Sequence, residues 1–298
     1  MYRSSEHLEA LGLPGGDAHA LPETDARFPD GARFRVEIPS VEGPAAMRVV
    51  IAEAARLGVH VHRVSQGSGI WMLTDEEIGE MVALGREHEI EVVLFVGPRA
   101  AWDVGRQVTA SSGAVVGASL RGADALAAGT DDVLHACELG VRGVLVADLG
   151  HLMVLGRLKA AGVLPGDLQL KVSVSLPVAN PATARVMEEL GATSLNLPVD
   201  LPVAAIAAIR EAVALPLDVY VEAADDFGGG MRHYEVARLV RCGAPIYLKY
   251  TVRNAPGTYP SGAHIQGLVE ALSAERVRRA ALGLNLLRRY MPEVVSRG

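Results

Sequence analysis

The stretch LGATSLNL, residues 190–197, contains the structural unit from which the chain is built. A segment with helical apolar periodicity ends at Leu190, and Gly191 can adopt the left-handed conformation that commonly follows a helix. Thr193–Leu197 then has the composition of a short strand. The same order of helix, glycine and strand recurs at four further glycines, namely Gly58, Gly140, Gly162 and Gly243. This repetition predicts parallel strands connected by helices.

Eight strand candidates alternate with the helical segments. They are Phe34–Pro39, Val59–Val64, Glu91–Val96, Val141–Ala147, Leu168–Val174, Thr193–Leu197, Leu217–Glu222 and Pro245–Tyr250. Most follow one another at intervals of about 25 to 30 residues, as βαβ units require. Eight such strands favour a single (β/α)8 TIM-type barrel, of the α/β class, over an open doubly wound sheet.

Helix starts are indicated by residues that can satisfy free backbone amides. Thr74 and Glu77 form a capping-box sequence, and Asn180-Pro181 is typical of an N-cap followed by proline in the first turn. Asp200 and Thr130 are predicted to open two further helices.

Two regions interrupt the alternation. Residues 1–32 show no period and are predicted to form an N-terminal arm, so that residues 33–298 form the barrel with its C-terminal helices. Between the third and fourth strands, Gly97–Gly129 is predicted to be an enlarged loop over the barrel mouth. Its segment Ala114–Leu120 would form part of a hairpin there, or else a ninth strand. A helix pair is predicted over residues 264–289.

Composition limits the classes of partner. The net charge of −7 and the scattered basic residues argue against nucleic-acid binding, and the lack of a long apolar run argues against a membrane span. Only two cysteines are present, which favours a reducing, cytoplasmic location. An apolar face on Leu282–Leu287 would allow a homodimer, or would pack under the barrel.

Polar residues at strand ends are the candidates for chemistry, because the carboxyl ends of barrel strands form the active-site face. On the seventh strand, alternation places Asp218, Tyr220 and Glu222 on one face. The same alternation selects Arg35 and Glu37, Lys171 and Ser173, Ser194 and Asn196, and Tyr247, Lys249 and Thr251. On the second strand, either His60 and His62 or Arg63 and Ser65 point inward.

Several segments of the sequence resemble the collagenase-like peptidase family, peptidase family U32. The similarity lies in Val144–Gly150, Leu170–Ser175, Asn180–Thr183, Leu190–Ala192 and Leu217–Glu222, and extends over about residues 35–225. The resemblance implies a barrel fold and a hydrolase label. It also implies, for some members, an iron–sulfur cluster on four cysteines after the seventh strand. Here that stretch, Ala223–Gly230, contains no cysteine, so we expect a divergent member without an iron–sulfur cluster.

Three kinds of chemistry remain open. Buried Lys171 and Lys249 could pair with carboxylates such as Glu37, Glu222 or Asp218, or could form a Schiff base with a carbonyl substrate. A divalent metal could bind Glu37, Asp148, Glu222 and the His60/His62 pair. Backbone amides of Gly228–Gly230, helped by Arg232 and Arg253, could bind an anion.

We therefore expect an enzyme acting on a small anionic metabolite that carries a carboxylate or a phosphate. The predicted catalytic set is Glu37, Lys171, Glu222 and Lys249. The predicted substrate-binding set is Arg63, Gln66, Asp148, Asn196, Gly229 and Arg253. A hydrolase, a lysine/carboxylate-dependent lyase or isomerase, a metal-dependent enzyme and a non-catalytic scaffold are the competing functions. A scaffold should show its polar strand ends mutually neutralised and its mouth closed.

Overall fold

The computed structural model describes residues 3–102, 107–110, 113 and 116–294. In that part of the chain, strands and helices alternate after a short first helix. The strands are β1 Phe34–Pro39, β2 Arg63–Ser65, β3 Glu91–Phe95, β4 Gly143–Val146, β5 Gln169–Val172, β6 Ser194–Asn196, β7 Leu217–Glu222 and β8 Ile246–Tyr250. The helices are α1 Ser5–Ala10, α2 Pro44–Leu57, α3 Asp75–Glu87, α4 Gly122–Glu138, α5 Leu149–Ala160, α6 Pro181–Glu189, α7 Val203–Ala212, α8 Val236–Gly243 and α9 Gln266–Tyr290.

The eight strands close into a parallel barrel in sequence order, which confirms the predicted fold class. β8 completes the ring by pairing with β1, with Phe34 opposite Ile246. β3 pairs directly with β4, with Leu94 opposite Val144. The alternative of a ninth barrel strand at Ala114–Leu120 is therefore wrong, because no position is left for it between β3 and β4.

The loop after β3 is long but shorter than predicted. It ends before α4, which begins at Gly122 and not after Gly129. Its described residues turn back on themselves, since the amide of Ala100 donates to the carbonyl of Ser119 at 3.0 Å. Residues 114 and 115 of the predicted hairpin lie outside the described residues.

The barrel interior is divided into an apolar and a polar side. Val93 and Phe95 of β3 and Leu145 of β4 form a buried apolar cluster with Ala147. The other strands place charged and hydroxyl side chains toward the axis, and their alternate apolar residues pack outward in the main core beneath the helices. Period-two alternation along each strand produces this separation.

Two of the predicted helix starts are confirmed and two are wrong. Thr74 and Glu77 form a complete capping box, and Asn180 accepts from the amide of Thr183. Asp200 does not open a helix, because α7 begins three residues later, after Pro202. Thr130 lies inside α4, where its hydroxyl donates to the carbonyl of Leu126 at 2.8 Å instead of capping a terminus.

The five glycines predicted to follow helices do not all adopt the left-handed conformation. Gly58, Gly140, Gly162 and Gly191 all have positive φ angles. Gly243 does not follow its helix but is the last residue of α8, and Ala244 ends the helix with φ −58° and ψ 147°. The extended conformation of Ala244 is expected, because Pro245 disfavours a helical residue before it.

The N-terminal arm and α9 both pack on the barrel. Phe28 and Ala32 cover its amino-terminal end against Tyr247, and the arm contains the helix α1, which the sequence reading missed. The predicted C-terminal helix pair is wrong, because α9 is one helix of 25 residues, in which Leu284 and Leu287 are buried. None of the helices in the described residues is long and apolar enough to cross a membrane.

Candidate active site

Five charged side chains meet on the axis of the barrel, each supplied by a different strand. Glu37 on β1, Arg63 on β2, Lys171 on β5, Asp218 on β7 and Lys249 on β8 are all nearly inaccessible to solvent. Lys171 Nζ contacts Glu37 and lies 3.1 Å from Asp218 Oδ2. Arg63 Nη1 lies 3.2 Å from Asp218 Oδ1, and Lys249 Nζ lies 3.3 Å from Glu37 Oε1. We call these five residues the axial ion cluster.

The contacts of the axial ion cluster show which side chains of β2 point into the barrel. Arg63 and Ser65 point inward, and the Ser65 hydroxyl donates to Glu37 Oε1 at 2.8 Å. His62 faces the other way, and its Nδ1 accepts from the amide of Val36 at 3.1 Å. The strand starts later than predicted, at Arg63 and not at Val59.

Mutual neutralisation decides the ionisation of the cluster. Burial raises the pKa of Glu37, but Lys171, Lys249 and Arg63 outweigh that effect and hold the pKa far below its usual value. Burial lowers the pKa of Lys171; its two carboxylate partners oppose this shift, while Lys249 and Arg63 add to it. Glu37 is thus a permanent counter-ion. An acid this strong is a poor proton acceptor, so general-base catalysis by Glu37 is disfavoured.

A cavity of about 130 Å³ lies directly above the cluster, at the carboxyl ends of the strands. Its floor contains Lys249, Asn196 and Ser65, and its apolar wall contains Phe95 and Leu145. Three side chains from the loops after β3, β7 and β8 also line it; they are Arg99, Phe227 and Tyr259. The volume is similar to that of an apolar cavity that admits benzene, about 150 Å³.

Lys249 is the member of the axial ion cluster that lines this cavity. With the Asn196 amide turned so that its oxygen faces the ammonium group, that oxygen accepts from Lys249 Nζ at 2.8 Å. Nζ also lies 4.3 Å from the centre of the Tyr220 ring. A carboxylate, an amide oxygen and an aromatic face therefore hold the amine in place at the cavity floor.

The loops over the cavity are packed against one another. The Tyr259 hydroxyl contacts the Ser40 hydroxyl, and Arg99 donates to the carbonyl of Gly67. A Cβ atom on Gly67 would overlap the Tyr259 ring, so this position requires glycine for the close approach of the β8 loop. The mouth is thus narrowed but retains a cavity.

Glu222 does not join the predicted catalytic set in space. The pairing of β7 with β8 shifts between Tyr220 and Glu222, which turns Glu222 away from the position that regular alternation predicts. Its carboxylate accepts from His233 Nε2 at 3.0 Å and from the amide of Arg253 at 3.0 Å. Burial raises the pKa of Glu222, but His233 and these other donors hold it below its usual value. Glu222 is not among the cavity-lining residues.

The predicted substrate-binding residues lie in different places. Asn196 and Gln66 line the cavity, although the Gln66 amide already bonds to both backbone groups of Gly69, each at 3.0 Å. Arg63 lies below the cavity, where its Nε is 2.8 Å from Glu91 Oε2. Asp148 caps α5 by accepting from the amide of His151 at 2.9 Å.

The predicted anion site at Gly228–Gly230 is not available in the described structure. The amides of Gly228 and Gly229 donate to the carbonyls of Asp225 and Ala224. Arg253 Nε lies 3.3 Å from Asp225 Oδ1, so a carboxylate of the chain already occupies this loop. Gly229 and Arg253 are therefore not among the cavity-lining residues.

The proposed metal ligands are separated by the fold. Glu37 is on the axis, Asp148 caps α5, Glu222 bonds to His233, and His62 faces outward beside His60. Among the described residues, no group of three or more histidine, cysteine or acidic side chains could hold a metal ion. The two cysteines are buried in different helices, Cys137 in α4 and Cys242 in α8.

Arg99 and Tyr259 are among the cavity-lining residues that the sequence does not predict. Both belong to loops, where no periodicity indicates which way a side chain points. For the floor of the cavity, the rarity of lysine is a usable sequence signal. Only three of the 28 basic residues in the sequence are lysines, namely Lys159, Lys171 and Lys249. Two of these three lie inside the barrel.

Comparison with known proteins identifies one family and several similar folds. The model of peptidase family U32 matches residues 115–225. A structure of a U32 peptidase is 20% identical over 64% of this chain and 69% of that chain, with a TM-score of 0.39. The putative copper homeostasis protein CutC from Streptococcus agalactiae is 14% identical over 72% and 98%, with a TM-score of 0.47.

Thiamine phosphate pyrophosphorylase from Pyrococcus furiosus is 15% identical over 89% of this chain and 98% of that chain, with a TM-score of 0.47. At such identities and TM-scores, these structural similarities carry no argument about activity. No curated protein matches the sequence. The matched residues include β4 to β7 and the segments in which the sequence resembles this family. Over residues 115–225, the chain is therefore similar to peptidase family U32.

Proposed function

We propose that this protein is a lysine-dependent enzyme, of the lyase class, that acts on a small metabolite carrying a carbonyl and an acidic group. The observation that carries the proposal is the placement of Lys249. It is one of three lysines in the chain, is 1% exposed, and lines the floor of the cavity at the barrel mouth. Elsewhere the sequence uses arginine for 25 of its 28 basic residues, and arginine cannot form a Schiff base.

The proposed chemistry begins with the carbonyl carbon of the substrate above Lys249 Nζ. Two of the three protons on Lys249 Nζ move to the carbonyl oxygen, and the lone pair freed by the first transfer adds to the carbonyl carbon. The oxygen then leaves as water, and the protonated imine keeps the third proton and the positive charge. The imine then accepts the electron pair of the carbon–carbon bond one carbon away as that bond breaks, and the departing carbon becomes a carbonyl as its hydroxyl loses a proton. The remaining enamine takes up a proton at carbon, and water hydrolyses the imine to release the product and the lysine. Glu37, held ionised, would stabilise the positive charge throughout, and Asn196 would orient the nitrogen.

Hydrolysis is the second candidate, because the family match names a peptidase. Ser65 brings a hydroxyl to the cavity floor, but that hydroxyl donates to the strongly ionised Glu37 carboxylate. Such a carboxylate would activate the hydroxyl poorly. The cavity of about 130 Å³ also favours a small substrate over a polypeptide. The charged strand ends neutralise one another, as expected of a scaffold, but the mouth keeps a cavity with a lysine on its floor, which favours an enzyme.

Reductive trapping tests the proposal. The native protein is incubated with a panel of small oxo acids and cyanoborohydride, and the adduct is located by intact mass and peptide mapping. We expect one adduct, on Lys249, that disappears in Lys249→Met. Lys159→Met is the matched control and should leave trapping unchanged, because Lys159 lies in α5, away from the mouth. Labelling of Lys159 alone, or no adduct across the panel, would contradict the proposal.

A further inference from the structure

Arg99 presents a guanidinium group to the same cavity in an unusual setting. Its Cζ lies 3.7 Å from the centre of the Phe95 ring and 3.8 Å from that of Trp102. Stacking between two aromatic rings holds the guanidinium plane and leaves its N–H edge free for hydrogen bonding. The orientation of the group is therefore largely fixed before any ligand arrives.

The described residues use little of the hydrogen-bonding capacity of Arg99. A guanidinium has five N–H donors, and the described contacts use one, from Nη2 to the carbonyl of Gly67. Nε is buried and has no partner among the described residues. Leaving the buried Nε donor unmet is unfavourable, which indicates that an acceptor belongs there.

Among the described residues, no carboxylate pairs with the charge of Arg99. Arg63, Lys171 and Lys249 each contact a carboxylate of the axial ion cluster. No carboxylate of the described residues lies within 4.0 Å of Arg99, which makes no ion pair there. Burial lowers the pKa of Arg99 to about 10, and Tyr259 and Glu42 oppose that shift. The group still carries its charge at neutral pH.

We infer that Arg99 binds the carboxylate of the substrate and so sets the substrate class as short-chain oxo acids. This inference rests on the proposed function in placing the carbonyl at Lys249. A planar guanidinium matches a carboxylate through two parallel hydrogen bonds. The cavity of about 130 Å³ has room for about five or six non-hydrogen atoms, by comparison with a cavity of about 150 Å³ that admits benzene. That size suits a three-carbon oxo acid better than a phosphate ester.

The test compares pyruvate with methyl pyruvate, which has the same carbonyl but no negative charge. Trapping on Lys249 is measured against concentration in the native protein and in Arg99→Gln. We expect the half-saturating pyruvate concentration to rise about 10- to 100-fold in Arg99→Gln, as loss of a hydrogen-bonded ion pair predicts. Trapping of methyl pyruvate should not change. Arg48→Gln, a surface substitution in α2, is the matched control.

Equal half-saturation by pyruvate in the native protein and Arg99→Gln would overturn the inference. If both probes lose trapping, Arg99→Lys decides between a structural and a binding role. Recovery of pyruvate trapping relative to methyl pyruvate would support charge recognition, whereas equal recovery of both, or recovery of neither, would overturn it.

A second measurement separates this inference from the proposed function. Propanoate has a carboxylate and no carbonyl, so its binding does not require Lys249 chemistry. Saturation-transfer NMR should detect propanoate on the native protein and on Lys249→Met, but not on Arg99→Gln. That result would support Arg99 even if no Schiff base formed. No binding to the native protein, or equal binding to Arg99→Gln, would overturn the role of Arg99.

Discussion

Glu37 is the residue on which the barrel interior depends, because one carboxylate faces three cations. Lys171, Lys249 and Arg63 all lie within 4.0 Å of it, and its side chain is fully buried. Burying charge is costly unless each ion is matched. The stability of the axis therefore requires the complete set of charges, and not any single pair.

Replacing Glu37 by Gln keeps the shape of the side chain and removes its charge. We expect Glu37→Gln to lower the free energy of unfolding by about 3–5 kcal/mol, since it leaves buried cations uncompensated. Urea denaturation measures the change. Glu53→Gln, which breaks the surface pair with Arg56, should cost less than about 1 kcal/mol. Similar losses for the two variants would show that the axial charges are not coupled as described.

His151 gives the protein a predictable response to acid. Burial lowers the pKa of His151 to about 4, only partly offset by Asp148, whereas an unfolded histidine titrates near 6.5. The unfolded state therefore binds the proton first. The stability that neutral His151 contributes is complete above about pH 6.5 and is lost as the pH falls toward 4, by up to roughly 1.4 kcal/mol per pH unit.

Histidine NMR resonances test this directly. The His151 imidazole should not titrate between pH 8 and 5, whereas the exposed His135, whose pKa the Asp75 carboxylate raises, should titrate within that range. In His151→Asn, the free energy of unfolding should depend less steeply on pH between 6.5 and 5. A normal titration of His151 near pH 6.5 would contradict this account.

At the scale of elements, the strands were predictable and their exact registers were not. β1 and β7 begin and end where the sequence predicts, because alternation and flanking turns are local signals. The sequence could not decide which side chains near β2 point inward, because both faces of the predicted strand carry polar residues. The contact of Arg63 with Glu37 decides between them. The shift after Tyr220 depends on how β7 meets β8, so no local pattern could place Glu222.

The crossing of α5 with the end of α6 provides an element-scale prediction. A Cβ on Gly156 would overlap the backbone carbonyl of Leu190, which cannot move independently of α6. We expect Gly156→Ala to lower the free energy of unfolding by about 1–3 kcal/mol. In contrast, Gly79 in α3 has no atom near its potential Cβ, and Gly79→Ala should raise stability by about 0.5–1 kcal/mol. Denaturation curves should therefore shift in opposite directions; a shared direction would refute the crossing geometry.

For the molecule as a whole, the barrel was predictable and the site only in part. Repetition of helix, glycine and strand over the chain specifies the fold, and polar residues on strands identify Lys249 and Asn196. Arg99 and Tyr259 could not be found in this way, because loop side chains are placed by contacts between distant segments. Loop residues above the cavity can therefore be identified only from the assembled structure, whereas strand residues on its floor can be identified from the alternation in the sequence.

The few lysines allow the accessibility of the whole interior to be measured. Reductive methylation of the native protein should modify the half-buried Lys159 first, Lys249 slowly through the mouth, and Lys171 not at all. In urea, all three should react at similar rates. Peptide mapping by mass spectrometry gives each rate, and rapid methylation of native Lys171 would contradict a closed axis.

The stacking of Trp102 on Arg99 has an optical consequence. The chain has two tryptophans, and the other, Trp71, is 55% exposed. In a Trp71→Phe protein, fluorescence would come from Trp102 alone, whose excited state is sensitive to the field of the adjacent guanidinium. An anion that screens this cation would shift the emission. The protein would then report occupancy of its own mouth without an added dye, in real time and before any covalent step.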